Sequence, residues 1–340
     1  MRAKLLTLFT TILFASTLLL SSIFPVNNVY AQTNAVTTNP TLTDIIQCGL
    51  EAGSNGDFTN NCTTQTRSPN LANMVAPNPP INNMAITPPA SAANGTYAAL
   101  GDSVAAGLGL LAASNATNQD LQCGRTTQAY PYIVAQTLGV QLIDVACSGA
   151  TAGDLVTQQG VSGPNITPQL DIAFAAGTPQ LITITAGAND VHWDDFLRYC
   201  YASNCGSATN TAILNTYLSA LSLKMNYALN SIQQRSGGSP PLTIVTGYYN
   251  PISSRCANLQ QQVTPDEIKW LVSARSALAN TIKDATDNFS FAQYVTISFA
   301  GHDICSPDPW VQSLSSSAPF HPTAQGQQTI ANTVVSAVGR

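Results

Sequence analysis

A serine behind an apolar run, two amide donors and a late histidine are spread along this chain in an order that suits acyl transfer. The run Tyr97-Ala98-Ala99-Leu100 leads into Gly101-Asp102-Ser103-Val104. After it come Ser148-Gly149-Ala150-Thr151, Gly187-Ala188-Asn189-Asp190 and Phe320-His321-Pro322. Ser103 offers a hydroxyl that can attack an ester carbonyl once a neutral imidazole takes its proton, and the imidazolium can then return that proton to the leaving alkoxide. Charge builds on the carbonyl oxygen in between. Fixed donors aimed at it matter, and losing one typically costs about 100- to 1000-fold in rate. The backbone N–H of Gly149 and the side-chain amide of Asn189 are donors of that kind. For the base the chain offers three histidines, His192, His302 and His321. Taken singly, Gly-Asp-Ser is a turn, Gly149 a turn glycine and Asn189 a strand-end cap.

The four motifs in this order resemble the four blocks of the SGNH (GDSL-type) serine esterase and lipase family, over roughly residues 95–340. The joint order is far more specific than any one motif. The resemblance implies Ser103 as nucleophile and oxyanion donor, Gly149 and Asn189 as the other donors, and His321 as base. The other two histidines have lesser expected roles, His302 from the resemblance and His192 from its place directly after the asparagine motif. His302 lies in a segment similar to one common beside a family disulfide, which fits a structural or substrate-lining role, and His192 lies in a loop at the pocket rim.

One position departs from the family pattern. An aspartate usually stands three residues before the histidine, and here that residue is Ala318. A carboxylate there would orient the imidazole and stabilise its protonated form. Some members use a main-chain carbonyl instead, so the Ala318 carbonyl is the expected orienting group, with Asp303 and Asp308 as alternatives.

The first residues read as an export signal: Arg2 and Lys4, an apolar core from Leu5 to Phe24, and Val29-Tyr30-Ala31 before a cleavage point. The core is diluted by Thr10, Thr11, Ser16, Ser21 and Ser22, which favours cleavage over a membrane anchor. Residues 1–31 are thus expected to be a signal peptide and the protein to be secreted. Without Arg2 and Lys4, ten basic residues against 17 acidic ones leave a net charge of −7. An acidic chain with no basic cluster is unsuited to nucleic acid or anionic membranes.

Eight cysteines in an exported chain suggest disulfides before metal sites. Spacing and the resemblance favour Cys48–Cys62, Cys123–Cys147, Cys200–Cys205 and Cys256–Cys305. The last three look like the bridges of secreted actinobacterial members of the family. A zinc site at Cys200 and Cys205 would need two further ligands, and only His192 is near.

These residues need a scaffold. Residues 32–94, rich in Asn, Thr, Pro and Ser with breaks at Pro79-Pro80 and Pro88-Pro89, form an extended N-terminal extension. From residue 95 to 340 the pattern becomes α/β. Short apolar runs predict buried parallel strands at Tyr97–Leu100, Val140–Ala146, Leu181–Ala186, Leu242–Thr246 and Tyr294–Phe299. Helices are expected at Ala212–Arg235, at Thr264–Thr286, where Thr264, Pro265 and Glu267 form a capping box with proline at the first helical position, and at Thr323–Val338. Five strands with helical crossovers make a three-layer α/β/α sandwich on a flavodoxin-like five-stranded parallel sheet, which is also the fold that the resemblance implies. In such a sheet Ser103, Gly149, Asn189 and His321 all follow strands and meet at one edge.

The resulting expectation is a secreted, monomeric carboxylic ester hydrolase working through an acyl-enzyme on lipid or short-chain acyl esters, with no metal or organic cofactor. After signal cleavage it would have no stable membrane insertion. The apolar Val104–Leu111 segment and the aromatics Trp193, Phe196, Tyr248, Tyr249, Trp310 and Phe320 could line its pocket. A carbohydrate O-deacetylase of the same fold and a catalytically inactive cell-surface binding module are the alternatives. An α/β-hydrolase elbow fits less well, because the Gly101–Ala105 stretch ends in alanine and follows the domain's first strand.

Overall fold

The computed structural model describes residues 95–159, 166–256 and 263–339. The expected signal peptide (1–31), the extension (32–94) and the pair Cys48–Cys62 lie outside the described residues. In chain order the elements are β1 (Thr96–Gly101), α1 (Ser103–Ala106), α2 (Asn118–Cys123), α3 (Tyr130–Leu138), β2 (Gln141–Asp144), α4 (Gln169–Ala173), β3 (Leu181–Thr185), α5 (Trp193–Ala202), α6 (Ala208–Arg235), β4 (Leu242–Thr246), α7 (Pro265–Thr286), β5 (Ala292–Val295) and α8 (Ala324–Val338). Among the described residues no helix is long and apolar enough to cross a membrane.

The five strands form one all-parallel sheet in the order β2-β1-β3-β4-β5. Helices cover both faces of such a sheet, which is why the central strands are buried without alternation: Ala98, Ala99 and Leu100 of β1 and all five residues of β3, threonines included, are buried. Right-handed crossovers put α3 and α8 on one face, where they pack together, and α6 against α7 on the other. Buried hydroxyls at the centre of the sheet are paired. Tyr97 Oη lies 2.7 Å from Thr183 Oγ1, and Thr185 Oγ1 lies 2.9 Å from Tyr130 Oη and 2.7 Å from Thr246 Oγ1.

Two elements depart from the sequence reading by more than two residues at one end. α6 begins four residues early, because Ser207 and Asn210 make a reciprocal capping box that the apolar spacing did not reveal. β5 spans Ala292–Val295, not Tyr294–Phe299. Thr246 is the last residue of β4 and pairs with Val295, so beyond Val295 no neighbour remains to continue the ladder. Ile297 and Phe299 leave the sheet yet stay buried in the core.

The chain runs from β1 outward to β2 and then returns past β1 to β3, so the winding direction reverses between β1 and β3. Crevices open at the carboxyl ends of strands at such a switch point. Ser103 leaves β1 there and Asn189 leaves β3 beside it. The crossing is tight: Gly101 has φ +138°, and a Cβ on it would sit 2.2 Å from the Thr185 carbonyl oxygen. Asp102 N–H donates to that same oxygen at 2.9 Å. Gly101→Ala is therefore expected to cost about 2–4 kcal/mol in a urea melt, through backbone strain and forced displacement of β3.

Candidate active site

Each turn carrying a candidate residue is fixed by side chains that reach across to its backbone. At the end of β1, the Gln169 amide holds Gly101 from both sides, accepting its N–H at 2.7 Å and donating to its carbonyl at 2.9 Å. Asp102 then caps α1, its Oδ1 accepting the Val104 N–H at 2.9 Å, which leaves Ser103 on the first turn. On the far side, buried Gln327 donates to the Val104 carbonyl at 2.9 Å.

The second motif follows β2. Cys147 is bonded to Cys123, and both the N–H and the hydroxyl of Ser148 donate to the Cys123 carbonyl, at 3.0 and 2.7 Å. Gly149 then takes φ +80°, a conformation that favours glycine. No hydrogen-bond partner is found among the described residues for the N–H of Ser103 or of Gly149, and both residues line the same pocket.

The third motif follows β3. One hydrogen of the Asn189 amide is committed to the Ala150 carbonyl at 2.8 Å, which fixes the amide plane and leaves its other hydrogen for the pocket. Asp190, 1% exposed at its side chain, accepts the Ala152 N–H at 2.8 Å and the Lys224 ammonium at 2.9 Å. A buried ion pair thereby joins the second and third motifs to α6.

His321 arrives in a loop before α8. Its Nε2 lies 2.7 Å from Ser103 Oγ, and its Nδ1 lies 3.1 Å from the Pro319 carbonyl. With Nδ1–H donating to that carbonyl, Nε2 is free to accept the serine proton. The expected orienting group was the Ala318 carbonyl; the carbonyl in hydrogen-bond contact with Nδ1 is that of Pro319, one residue on. Ala318 C=O instead accepts the His321 backbone N–H at 3.3 Å. With proline at the second position and Phe320 at φ +67° in the third, residues 318–321 follow the type II turn pattern, in which the middle peptide is flipped. That flip presents the Pro319 carbonyl to the ring. The strained Phe320 is held by Tyr249 Oη, which donates to its carbonyl at 2.7 Å, and by its own N–H donating to the Gln312 carbonyl at 3.1 Å.

The pocket that these four turns enclose is about 240 Å³, with walls that include Val104, Leu108, Leu197, Tyr249, Pro251 and Phe320. Burial holds the His321 imidazole below its ordinary pKa, and the carbonyls of Pro319 and Ala318 oppose this in part. Of the six aromatics expected near the pocket, Trp193, Tyr248, Tyr249 and Phe320 line it. Phe196 packs instead against Trp270 and Trp310 against His302.

The other candidates for base and acid are engaged elsewhere. His302 is stacked on Trp310 at 3.7 Å with its Nδ1 2.8 Å from the Asp308 carbonyl, and the exposed His192 faces Asp195. Asp303 is buried and accepts from Ser253 Oγ and the Cys305 N–H. The bridges Cys123–Cys147, Cys200–Cys205 and Cys256–Cys305 are all present. Among the described residues the one cluster of metal-ligand types, Cys256, Asp303 and Cys305, has both sulfurs committed to a disulfide. Sequence reasoning missed the supporting residues Gln169, Gln312, Gln327 and Lys224, whose partners lie 10 to more than 200 residues away.

The sequence profile of the GDSL-like Lipase/Acylhydrolase family matches residues 99–329. Lipase 1 of Streptomyces coelicolor is 30% identical over 248 residues, covering 70% of this chain and 84% of the relative. A lipase of Streptomyces rimosus is 30% identical over 239 residues, covering 68% and 82%. The crystal structure of the extracellular lipase from Streptomyces rimosus superposes with a TM-score of 0.57 at 25% identity, over 72% of this chain and 99% of that one. Phospholipase A1 from Streptomyces albidoflavus gives 0.56 at 26% identity with the same coverage.

The Asp190–Lys224 pair gives the site a measurable dependence on α6. Lys224→Ala leaves a buried carboxylate without its cation and should cost about 3–5 kcal/mol in urea unfolding, whereas Lys224→Met with Asp190→Asn, which removes both charges and keeps an acceptor for the Ala152 N–H, should recover part of that loss.

Proposed function

Because the chain belongs to the GDSL-like lipase/acylhydrolase family and is a carboxylic ester hydrolase, we propose that it cleaves acyl esters through a covalent acyl-enzyme on Ser103, with His321 as general base and then general acid. The observation that carries this reading is the 2.7 Å contact between Ser103 Oγ and His321 Nε2. It also favours a working enzyme over an inactive binding module. As Oγ bonds to the ester carbon, its proton passes to Nε2 and the carbonyl oxygen becomes an oxyanion. The N–H groups of Ser103 and Gly149 and the free hydrogen of the Asn189 amide receive that charge. The tetrahedral species expels the alkoxide, which takes the proton from Nε2. Water then repeats the sequence on the acyl-enzyme and releases the acid.

The Pro319 carbonyl fixes the tautomer and offers the imidazolium a dipole in place of a charge. Lipid acyl esters are the favoured substrates, supported by the apolar pocket walls and by relatives described as lipases and a phospholipase A1. Export after cleavage of residues 1–31 is supported by the basic and apolar pattern of that segment and by the extracellular lipase to which the fold is similar.

Ser103→Ala should lower turnover of p-nitrophenyl esters by about 10⁴-fold or more while leaving the fold intact. It should also abolish labelling by a fluorophosphonate; turnover close to wild type in this variant would overturn the assignment. A panel of esters from acetate to palmitate, run beside acetylated xylan and phosphatidylcholine, separates the lipid reading from the O-deacetylase one. Asp303→Asn and Asp308→Asn, compared per folded protein, should retain most activity, and His321→Ala should not. The base must be neutral to act, and its pKa lies below the usual 6.5. The acid limb of kcat/KM should accordingly have its midpoint below pH 6.5, with activity lost as pH falls through it.

A further inference from the structure

The hydroxyl of Tyr248 lies between the two turns whose spacing decides the chemistry. Tyr248 stands two residues after the end of β4, is 5% exposed and lines the pocket. Its Oη accepts the Ala188 N–H at 3.1 Å, one residue before Asn189, and donates its own hydrogen to Asp102 Oδ2 at 2.5 Å, one residue before Ser103. The other oxygen of Asp102 caps α1 through the Val104 N–H. A single oxygen atom thus joins the turn of the serine to the turn of the asparagine, across two strands that are neighbours only through the reversal of winding.

We infer that Tyr248 is a positioning residue whose hydroxyl sets the distance and orientation between the Ser103 nucleophile and the Asn189 oxyanion donor. This rests on the acyl-enzyme reading above. The phenol touches no reacting atom and acts through its two neighbours. It is suited to the task because a buried hydroxyl can donate and accept at once, which phenylalanine of the same shape cannot. Burial raises Asp102, up to about 7, and the Tyr248 hydrogen bond opposes that rise, so the phenol also helps to keep the capping carboxylate ionised. Burial likewise holds the phenol itself well above its ordinary pKa, so it remains a donor throughout the working range.

Without the hydroxyl, Ala188 N–H and Asp102 Oδ2 lose their partner together and each turn relaxes separately. Such a change affects geometry that matters in the transition state more than it affects substrate binding. Tyr248→Phe should lower kcat about 10- to 100-fold, the scale of a small misplacement at a reacting centre, with KM nearly unchanged. Rates are to be taken per active site, counted by fluorophosphonate titration. Asp102→Asn keeps an acceptor for Val104 and offers an N–H to Tyr248, and should lose less, about 3- to 10-fold in kcat. The double variant should be no slower than Tyr248→Phe alone, since Asp102→Asn weakens the same linkage that Tyr248→Phe breaks.

If Tyr248 is only a core aromatic, Tyr248→Phe will lower Tm and leave kcat per active site at the wild-type value, and that result overturns the inference. Single losses that multiply in the double variant overturn it as well. Should Tyr248→Phe fail to fold, Asp102→Asn serves alone, and an unchanged kcat there is equally fatal. Ser103→Ala in parallel separates the two levels: an active Ser103→Ala refutes the acyl-enzyme reading, whereas an inactive one beside a fully active Tyr248→Phe refutes only the role of Tyr248.

Discussion

Where a parallel strand ends, its backbone leaves the hydrogen-bond ladder, and every buried N–H and C=O that comes free needs another partner. That constraint governs the whole carboxyl edge of this sheet. Gln169 completes Gly101 as a neighbouring strand would, Gln327 joins Tyr130 N–H to the Val104 carbonyl, and Gln312 donates to the carbonyls of Leu108 and Pro322. Each is buried, and each amide spans segments far apart in sequence. The turns that carry Ser103 and His321 are therefore held by buried amides that do not themselves line the pocket. The site is organised before substrate arrives, the condition under which fixed donors lower a barrier.

The sheet and the candidate site residues could be read because both rest on local patterns. β1, β3 and β4 are apolar runs, and Ser103, Gly149, Asn189 and His321 sit in short motifs beside strand ends. Three disulfides were legible from spacing and resemblance together. The rest depended on pairs formed only in the folded chain. Nothing near Lys224 marks it as the partner of Asp190, since a lysine in a long helix normally faces water. Tyr248 was visible as an aromatic near the edge, but the two partners of its hydroxyl were not. The end of β5 was misplaced because apolar content alone cannot say where the neighbouring strand stops.

The histidine turn shows the same limit at the scale of one residue. Ala318 stands where a carboxylate was expected, and the nearest carbonyl seemed the natural substitute. A type II turn commits that carbonyl to closing its own ring and flips the next peptide, so orientation passes to Pro319. The strain of Phe320 in a left-handed conformation, on the order of 1–3 kcal/mol, is part of the same arrangement. Tyr249 and Gln312 hold the strained residue in place.

The bridge between Cys123 and Cys147 stands directly before Ser148 and Gly149, and the bridge between Cys256 and Cys305 secures the long loop that leads towards His321. In thiol-rich surroundings these covalent clasps would be open, and two of the four converging turns would depend on non-covalent contacts alone. A hydrolase built this way would have the frame of its site closed covalently only in an oxidising medium, and a reducing one would loosen that frame while leaving the five-stranded sheet its hydrogen-bond ladder.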